Sequence, residues 1–452
     1  MSNAFVPVNR DMPYLLPPSI QDWLPDNHLA RFVVDIVQQL DLRALTRAYA
    51  GRGSKAYHPG MLLSLLFYGY ASGVFSSRKL ERATYDSVAF RYICANTHPD
   101  HDSIATFRKR FLPELKGLFV QILQLAHEMK MLSLGTISLD GTKMKANASK
   151  HSALSWAHAT KLERQLRSEV EALLQKAQQA DRDEAADGLD IPEELACREA
   201  RLEAIAKAKA ELERRAAERY ARDKQIYDQK MAARTEKQHK TGKKPRGRNP
   251  KPPTEGPKNR DQVNLTDDES RIMPTSGGGF DQGYNAQAAV DLNTKLIVAT
   301  HITQQPNDKK QLAPALENLA ELPTELGTVD TLLADSGYFS EDNVQRCEAQ
   351  GITPYIATGR EAHNLPLEER HRRPPPLPPD ADAVTRMQHR LQTPEGRKTY
   401  GQRKYTSEPP FGVIKAVMGF RQFLLRGLEA ASGEWDLVCL AWNLKRLHVL
   451  AA

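Results

Sequence analysis

The chain has 452 residues and is 40% hydrophobic, which is enough for two or three domains with apolar cores. Its formal net charge of +7 favours a polyanionic partner. Its four cysteines lie far apart without a CxxC pair, which argues against a zinc site and a disulfide framework and for a reducing cytoplasm. No apolar run has membrane-spanning length, so we expect a soluble, intracellular protein without a membrane partner.

Residues 1–130 are predicted to form an all-α N-terminal domain. After a proline-containing arm, apolar residues recur at helical spacing, and Ser19 is placed to cap the first helix. Short helices joined by tight turns, with basic side chains on exposed faces, suit a helix-turn-helix-like module that binds DNA. The alternative is an ordinary helical bundle whose basic side chains are only solvated. The candidate DNA contacts of this domain are Arg78, Lys79, Arg108 and Lys109.

A strand is predicted within residues 131–150, where the sequence TISLD alternates and ends on Asp140. Beyond it, Lys143 and Lys145 alternate, so they share a sheet face with each other and not with Asp140 if the strand continues. These two lysines either line a DNA groove or are solvated.

Residues 151–236 are predicted to form an inserted antiparallel helical hairpin, because two apolar stripes are separated by the turn-forming sequence DGLDIPEE. The hairpin either contacts another protomer or DNA, or is a solvated spacer. Residues 237–262 are rich in Lys, Arg, Pro and Gly and have almost no apolar residues, so they cannot form a core. We predict a disordered basic linker there, whose contacts with DNA would be sensitive to salt.

Residues 263–452 are predicted to complete the second domain. Two strands joined by a hairpin at 292–295 are followed by a helix, the strand TLLAD, a helix, the strand TPYIAT and a mostly helical C-terminal block. With the strand at Asp140, this order indicates an antiparallel unit that continues into parallel strands through helical crossovers, an α/β architecture with a mixed sheet and flanking helices.

Three acidic residues stand at the points where this architecture places functional side chains. Asp140 falls on the first strand, Asp335 at the end of the fourth, and Glu408 at the start of a late helix. Three gathered carboxylates repel one another unless a cation neutralises them, and hard oxygen ligands suit Mg²⁺ or Mn²⁺. Two such ions can activate an attacking oxygen and stabilise the leaving oxygen of a phosphodiester. For Asp335 alone, the alternative is a strand-terminating residue before a turn.

The stretches SLDGTKMKANAS, SGGGFDQGYNAQAAVD and LLADSGYFSEDN resemble those of DDE transposases of bacterial insertion sequences, as does the region from Tyr400 to Lys415. The resemblance implies a ribonuclease-H-like catalytic domain with a long helical insertion after the first Asp. It further implies that Asp140, Asp335 and Glu408 bind two divalent ions. The family carries a lysine seven positions after its glutamate, which matches Lys415.

The resemblance implies DNA contacts near the scissile group. Lys415 would reach a phosphate or base, or else is a surface lysine of an amphipathic helix. Lys404 and Arg403 would contact phosphate, and Tyr400 either stacks on a base or packs in the core. Tyr400 stands eight residues before the glutamate, where the family has seven, so the assignment of the auxiliary tyrosine and arginine stays open.

Three functions remain open at this point. The first is a transposase that cuts element ends and joins them to target DNA as a homodimer or larger homo-oligomer, in the nucleoid of a bacterial cytoplasm. The second is a metal-dependent nuclease of the same fold that hydrolyses DNA without joining it. The third is a catalytically dead DNA-binding repressor, for which Asp335→Ala would leave every activity unchanged.

Overall fold

The computed structural model describes residues 19–49, 56–180, 191–243, 245, 247–275, 277–359 and 373–452. The predicted N-terminal arm and part of the predicted hairpin turn lie outside these residues. The chain divides into two compact units. The first unit contains residues 1–144, 285–425 and 429–452, and the second contains residues 145–284 with 426–428.

The described N-terminal residues of the first unit are helical, as predicted. Ser19 caps a short 3₁₀ turn, Ile20–Trp23, and the first α-helix begins only at Leu29, where the His28 side chain accepts a hydrogen bond from the Ala30 amide. The helices of this region are α1 (Leu29–Gln39), α2 (Arg43–Arg47), α3 (Pro59–Ala71), α4 (Ser77–Asp86), α5 (Val88–Ile93), α6 (His101–Arg110) and α7 (Leu115–Glu128).

The strands of the described chain all follow α7 in the sequence. In chain order they are β1 (Leu134–Lys145), β2 (Ala153–Ser155), β3 (Gln262–Asn264), β4 (Arg271–Pro274), β5 (Phe280–Asp291), β6 (Ile297–Thr303), β7 (Gly327–Ala334) and β8 (Thr353–Ile356). The later helices are α8 (Trp156–Ala180), α9 (Ile191–Thr241), α10 (Leu312–Ala320), α11 (Glu341–Ala349), α12 (Ala383–Gln392), α13 (Pro394–Gly401), α14 (Lys404–Gly412) and α15 (Leu428–Ala451). None of the described helices combines the length and apolar composition that a membrane span requires.

The sheet of the first unit has the strand order β6-β5-β1-β7-β8. β5 and β6 pair antiparallel, whereas β1, β7 and β8 run parallel to one another. Helices α10 and α11 make the crossovers between β6, β7 and β8. The predicted mixed α/β architecture is therefore confirmed. One detail was wrong, because β1 continues for five residues beyond Asp140, so Asp140 lies within the strand.

The second unit contains the two long helices of the predicted insertion, together with residues predicted as linker and as the start of the last domain. Apolar faces of α8 and α9 meet each other and the short β2–β3 ladder in one small core, which contains Leu154, Ala159, Leu166, Ile205, Ala208, Leu212 and Val263. Also in this unit, β4 pairs antiparallel with the first residues of β5. Helix α9 continues to Thr241, five residues past the predicted boundary at 236. The Arg219 and Arg234 guanidinium groups donate to backbone carbonyls between residues 245 and 256, within the segment predicted as a disordered linker.

Helix α15 covers the antiparallel side of the first unit's sheet through specific hydrogen bonds. Trp435 is fully buried and its Nε1 donates to the Gln287 carbonyl at 3.0 Å. The Asn443 side chain pairs with both backbone groups of Ile297, with each bond 2.8 Å long. Because Ile297 opens the edge strand β6, Asn443 satisfies backbone groups that an edge would otherwise leave unpaired.

Asp436 on α15 makes the stability of the fold depend on pH. Burial raises the pKa of this carboxyl group from 3.8 to about 6, and only a hydrogen bond from Thr300 and the charge of Lys116 oppose the shift. A carboxyl group whose pKa is raised by folding stabilises the fold at pH values below its pKa in the unfolded chain. This contribution is lost as the pH rises through the folded pKa, about 6. We expect Asp436→Asn to raise the free energy of unfolding at pH 8 by at most about 3 kcal/mol, and with it the melting temperature. Near pH 4 both should be unchanged. Calorimetry at both pH values measures this, and equal shifts would contradict it.

Candidate active site

The parallel register of β1 and β7 brings Asp140 and Asp335 together. Leu139 pairs with Ala334, so Asp140 and Asp335 are the next residues along two neighbouring strands. Adjacent strands are about 4.8 Å apart, and residues in register point to the same face. The charge of Asp335 accordingly raises the pKa of Asp140. The predicted meeting of these two carboxylates is present in the fold.

Asp140 is a strongly shielded carboxylate with several donors around it. Burial is the largest influence and raises its pKa, while the Gly141 amide, the Arg403 guanidinium and the Ser407 hydroxyl lower it. The Gly141 amide donates to Oδ1 at 2.8 Å, and Arg403 Nη1 and Ser407 Oγ approach Oδ2 at 3.3 and 3.1 Å. A cation already lies against this carboxylate, which is the response expected of a desolvated negative charge.

Asp335 directly follows β7 and caps the turn that comes next in the chain. Its Oδ1 accepts from the Gly337 amide at 2.8 Å, and a 3₁₀ turn follows over Ser336–Tyr338. Tyr338 is fully buried, and its hydroxyl donates to Gln287 Oε1. Burial and the charges of Asp308, Asp140 and Asp335 raise the pKa of Tyr338 well above its usual value. Tyr338 therefore packs inside the fold and does not line an open pocket.

Glu408 does not join the two aspartates in this conformation. It is exposed on α14, whereas its neighbour Ser407 is buried and contacts Asp140. Among the residues that the structure describes, no three His, Cys, Asp or Glu side chains form a group that could hold a metal ion. The predicted helix start was also wrong: α14 begins at Lys404, so Glu408 lies inside the helix, and so do Pro409 and Pro410.

Lys415 contacts β1 two and three residues beyond Asp140. Its Nζ donates to Thr142 Oγ1 and approaches the Lys143 carbonyl at 3.3 Å. Burial lowers the pKa of Lys415, and the charges of Arg421 and Lys143 lower it further. Lys415 is thus held at the site and is not a solvated surface lysine. It stands in the π-helical turn Val413–Val417 that follows α14.

The remaining predicted DNA contacts differ in exposure. Arg108 was expected on an exposed face, and this was wrong, because its Nη1 donates to Tyr70 Oη at 3.1 Å and to the Phe75 carbonyl at 2.9 Å. These acceptors draw the guanidinium into the helical core. Tyr400 is half-buried. Lys145, in the second unit, forms an ion pair of 3.0 Å with Asp281. The exposed candidates are Lys145, Arg78, Lys79, Lys109 and Lys404.

Asp308, in the loop between β6 and α10, is a site residue that sequence reasoning missed. Its Oδ1 accepts from Asn285 Nδ2 at 2.6 Å, from Gln287 Nε2 at 2.7 Å and from Lys143 Nζ at 3.3 Å. Asn285 and Gln287 are fully buried on β5. Two amides alternating within an apolar strand need buried partners, and this requirement was the available signal for a polar residue opposite them.

Two family models match the chain. The model described as a transposase DDE domain matches residues 248–444, and a second, described as a transposase domain, matches residues 18–110. No curated protein and no solved structure matches the chain.

Proposed function

The chain belongs to the DDE transposases of insertion-sequence type, enzymes that use divalent metal ions to cut and join DNA, and we propose that Asp140, Asp335 and Glu408 are its metal ligands. The observation that carries this proposal is the register of β1 with β7, which sets two carboxylates side by side in a shielded position. Carboxylate oxygens of this kind fit Mg²⁺ or Mn²⁺, and we propose two ions.

The bound ions would supply an activated attacking oxygen and a stabilised leaving oxygen. The chain's own residues have distinct tasks around them. Asp140 and Asp335 hold their carboxylates on rigid strands, which fixes the ligand geometry. Arg403 lies 3.3 Å from Asp140 and would turn to a DNA phosphate once the ions neutralise that carboxylate. Lys415, whose ammonium group contacts Thr142 and Lys143 on β1, would hold a second phosphate.

Metal binding by all three carboxylates requires Glu408 to turn toward Asp140. Successive residues of a helix differ by about 100°, so a rotation of α14 by that amount exchanges Ser407 for Glu408. Two features of this region lower the resistance to such a rotation. Pro409 and Pro410 remove amide donors from inside α14, and the π-helical turn Val413–Val417 follows directly. A bound cation would supply the attraction that moves the glutamate inward.

We further propose the finer assignments that go with this function. The strand order β6-β5-β1-β7-β8, in which β5 and β6 are antiparallel and β1, β7 and β8 are parallel, supports a ribonuclease-H-like domain. The substrates would be the element ends and target DNA, bound by a homodimer or larger homo-oligomer in the bacterial nucleoid. Exposed basic side chains would contact the DNA backbone, namely Arg78, Lys79, Lys109, Lys404 and, with its ion pair opened, Lys145.

A strand-transfer assay tests the proposed function. Labelled element ends and target plasmid are incubated with the full chain in Mg²⁺, Mn²⁺ or EDTA, and cut and joined products are separated on gels. We expect joined products with either metal and none in EDTA. Cutting without joining would indicate a nuclease, and DNA binding without cutting would indicate a repressor.

Replacing Glu408 tests its role as a ligand. We expect Glu408→Gln to reduce cutting and joining by about 100-fold or more, because a ligand charge is lost while the helix is retained. The matched control is Glu395→Gln on α13, which removes only an exposed ion pair with Arg373. The melting temperature of both variants should equal that of the unmodified chain. Equal activity of the two variants would remove Glu408 from the ligand set.

A further inference from the structure

Asp308 connects the strands β1 and β5 with its own loop beside the aspartate pair. Its Oδ1 receives hydrogen bonds from two fully buried amides on β5 and from Lys143 on β1. The side chain of Asp308 is 21% exposed, so these contacts are shielded from solvent. Hydrogen bonds to an ionised carboxylate are about twice as strong as neutral ones. Asp308 therefore holds β1, β5 and its own loop in a defined arrangement.

Two glycines bring Asp308 close to the backbone of both aspartates. A Cβ at Gly141, directly after Asp140, would lie 2.8 Å from Asp308 Oδ1 and would overlap the Gln287 amide nitrogen. A Cβ at Gly337, in the turn after Asp335, would lie 3.7 Å from Asp308 Oδ2. The Asp308 carboxylate thus lies near the backbone that follows each aspartate: a Cβ at position 141 would clash with it, whereas one at position 337 would make an ordinary van der Waals contact.

A second set of bonds connects the Asp308 loop to the Asp335 turn. The Asn343 side-chain amide donates to the Lys309 carbonyl at 2.7 Å and to the Tyr338 carbonyl at 2.6 Å. The Tyr338 hydroxyl donates to Gln287 Oε1, while the amide nitrogen of Gln287 donates to Asp308. These hydrogen bonds form a ring: Asp308 is bonded to Gln287, Gln287 to Tyr338, Tyr338 to Asn343, and Asn343 to Lys309, which follows Asp308 in the chain. Any shift of Asp308 is transmitted to the turn that carries Asp335.

We propose that Asp308 is a positioning residue that sets the relative placement of Asp140 and Asp335 for divalent metal binding. This inference rests on the proposed function, since it takes the two aspartates as metal ligands. Asp308 acts through its charge, because one carboxylate oxygen accepts hydrogen bonds from Lys143 and from both amides. An asparagine at this position has the same shape, but its neutral side-chain oxygen accepts hydrogen bonds from the three donors less strongly. Residues that orient metal ligands in this way typically contribute roughly 10- to 100-fold in metal affinity.

The test measures Mn²⁺ binding to the full chain without DNA, by electron paramagnetic resonance of the free ion, together with melting temperature. We expect Asp308→Asn to weaken Mn²⁺ binding at least about tenfold while the protein stays folded. Asp308→Glu, which keeps the charge, should recover part of the affinity. The matched control is Asp330→Asn on β7, an exposed residue of the same sheet, which should bind Mn²⁺ unchanged.

A second variant keeps the inference testable if Asp308→Asn does not fold. Gly141→Ala displaces Asp308 and Gln287 through its new Cβ, and it should weaken Mn²⁺ binding similarly. Gly135→Ala on the same strand is its control, because a Cβ there meets only Asp330 Oδ2 at 4.0 Å. Unchanged Mn²⁺ affinity in folded Asp308→Asn, or in Gly141→Ala if the former is unfolded, overturns the inference.

Asp140→Asn and Asp335→Asn separate this inference from the proposed function. If both of these variants bind Mn²⁺ normally, the metal-ligand assignment itself fails. If both lose Mn²⁺ and Asp308→Asn does not, the assignment stands and only the role of Asp308 is rejected. Weakened binding in all three variants supports both.

Discussion

Replacing Asp140 by asparagine is expected to abolish both cutting and joining of DNA, with a loss of about 1000-fold or more. Asp140 is the most shielded of the proposed ligands, and its carboxylate accepts three hydrogen bonds. Asparagine keeps the shape and its one side-chain oxygen can still accept from the Gly141 amide, so the strand pairing should be unchanged. What is lost is the negative charge that a divalent ion requires.

The measurement is the strand-transfer assay with matched amounts of folded protein. Asp330→Asn is the control here too, because it removes an acidic charge from β7 at an exposed position. The melting temperature of Asp140→Asn should not fall, since removing a buried charge relieves a desolvation cost. Joining by Asp140→Asn at a rate within tenfold of the unmodified chain would exclude Asp140 as a ligand.

Replacing Glu434 by alanine is expected to cause the largest loss of stability. Glu434 is fully buried on α15 and accepts from Tyr70 Oη at 2.9 Å and from the Leu424 and Leu425 amides at 2.8 and 3.0 Å. Burial raises the pKa of its carboxyl group, and the bonds and the Arg108 charge lower it. Alanine leaves the buried Tyr70 hydroxyl and two part-buried backbone amides without their acceptor, with a cavity beside them, at a cost of roughly 3–5 kcal/mol.

Thermal unfolding of the full chain measures this effect, which should lower the melting temperature by at least about 5 °C. Glu434→Gln should lose less, because its side-chain carbonyl still accepts from backbone amides. Glu429→Ala on the same helix is the control, since Glu429 is exposed. A melting temperature for Glu434→Ala within about 1 °C of the control would contradict the assigned role of the bonds.

The order of elements and the aspartate pair were predictable because they depend on local patterns. Apolar runs such as that before Asp335 identify strands, and parallel neighbours place their carboxyl-terminal ends at one edge. The long β1 was not predictable in the same way. Apart from the buried Met144, its residues after Asp140 form no apolar run, and pairing within the sheet keeps them extended. The inward direction of Arg108 was likewise missed, because its acceptors Tyr70 and Phe75 are more than 30 residues away along the chain.

The amino-acid sequence by itself determined the order of strands and helices in the sheet, the two long helices, the kinship with DDE transposases and the neighbouring positions of Asp140 and Asp335. These features follow from periodicity and motifs that are local in the chain. Only the tertiary structure decided that Ser407 and not Glu408 contacts Asp140, that Lys415 is held against β1, and that Asp308 lies beside both aspartates. The physical reason is that the rotation of a helix and the position of a loop are set by packing and buried hydrogen bonds between distant residues.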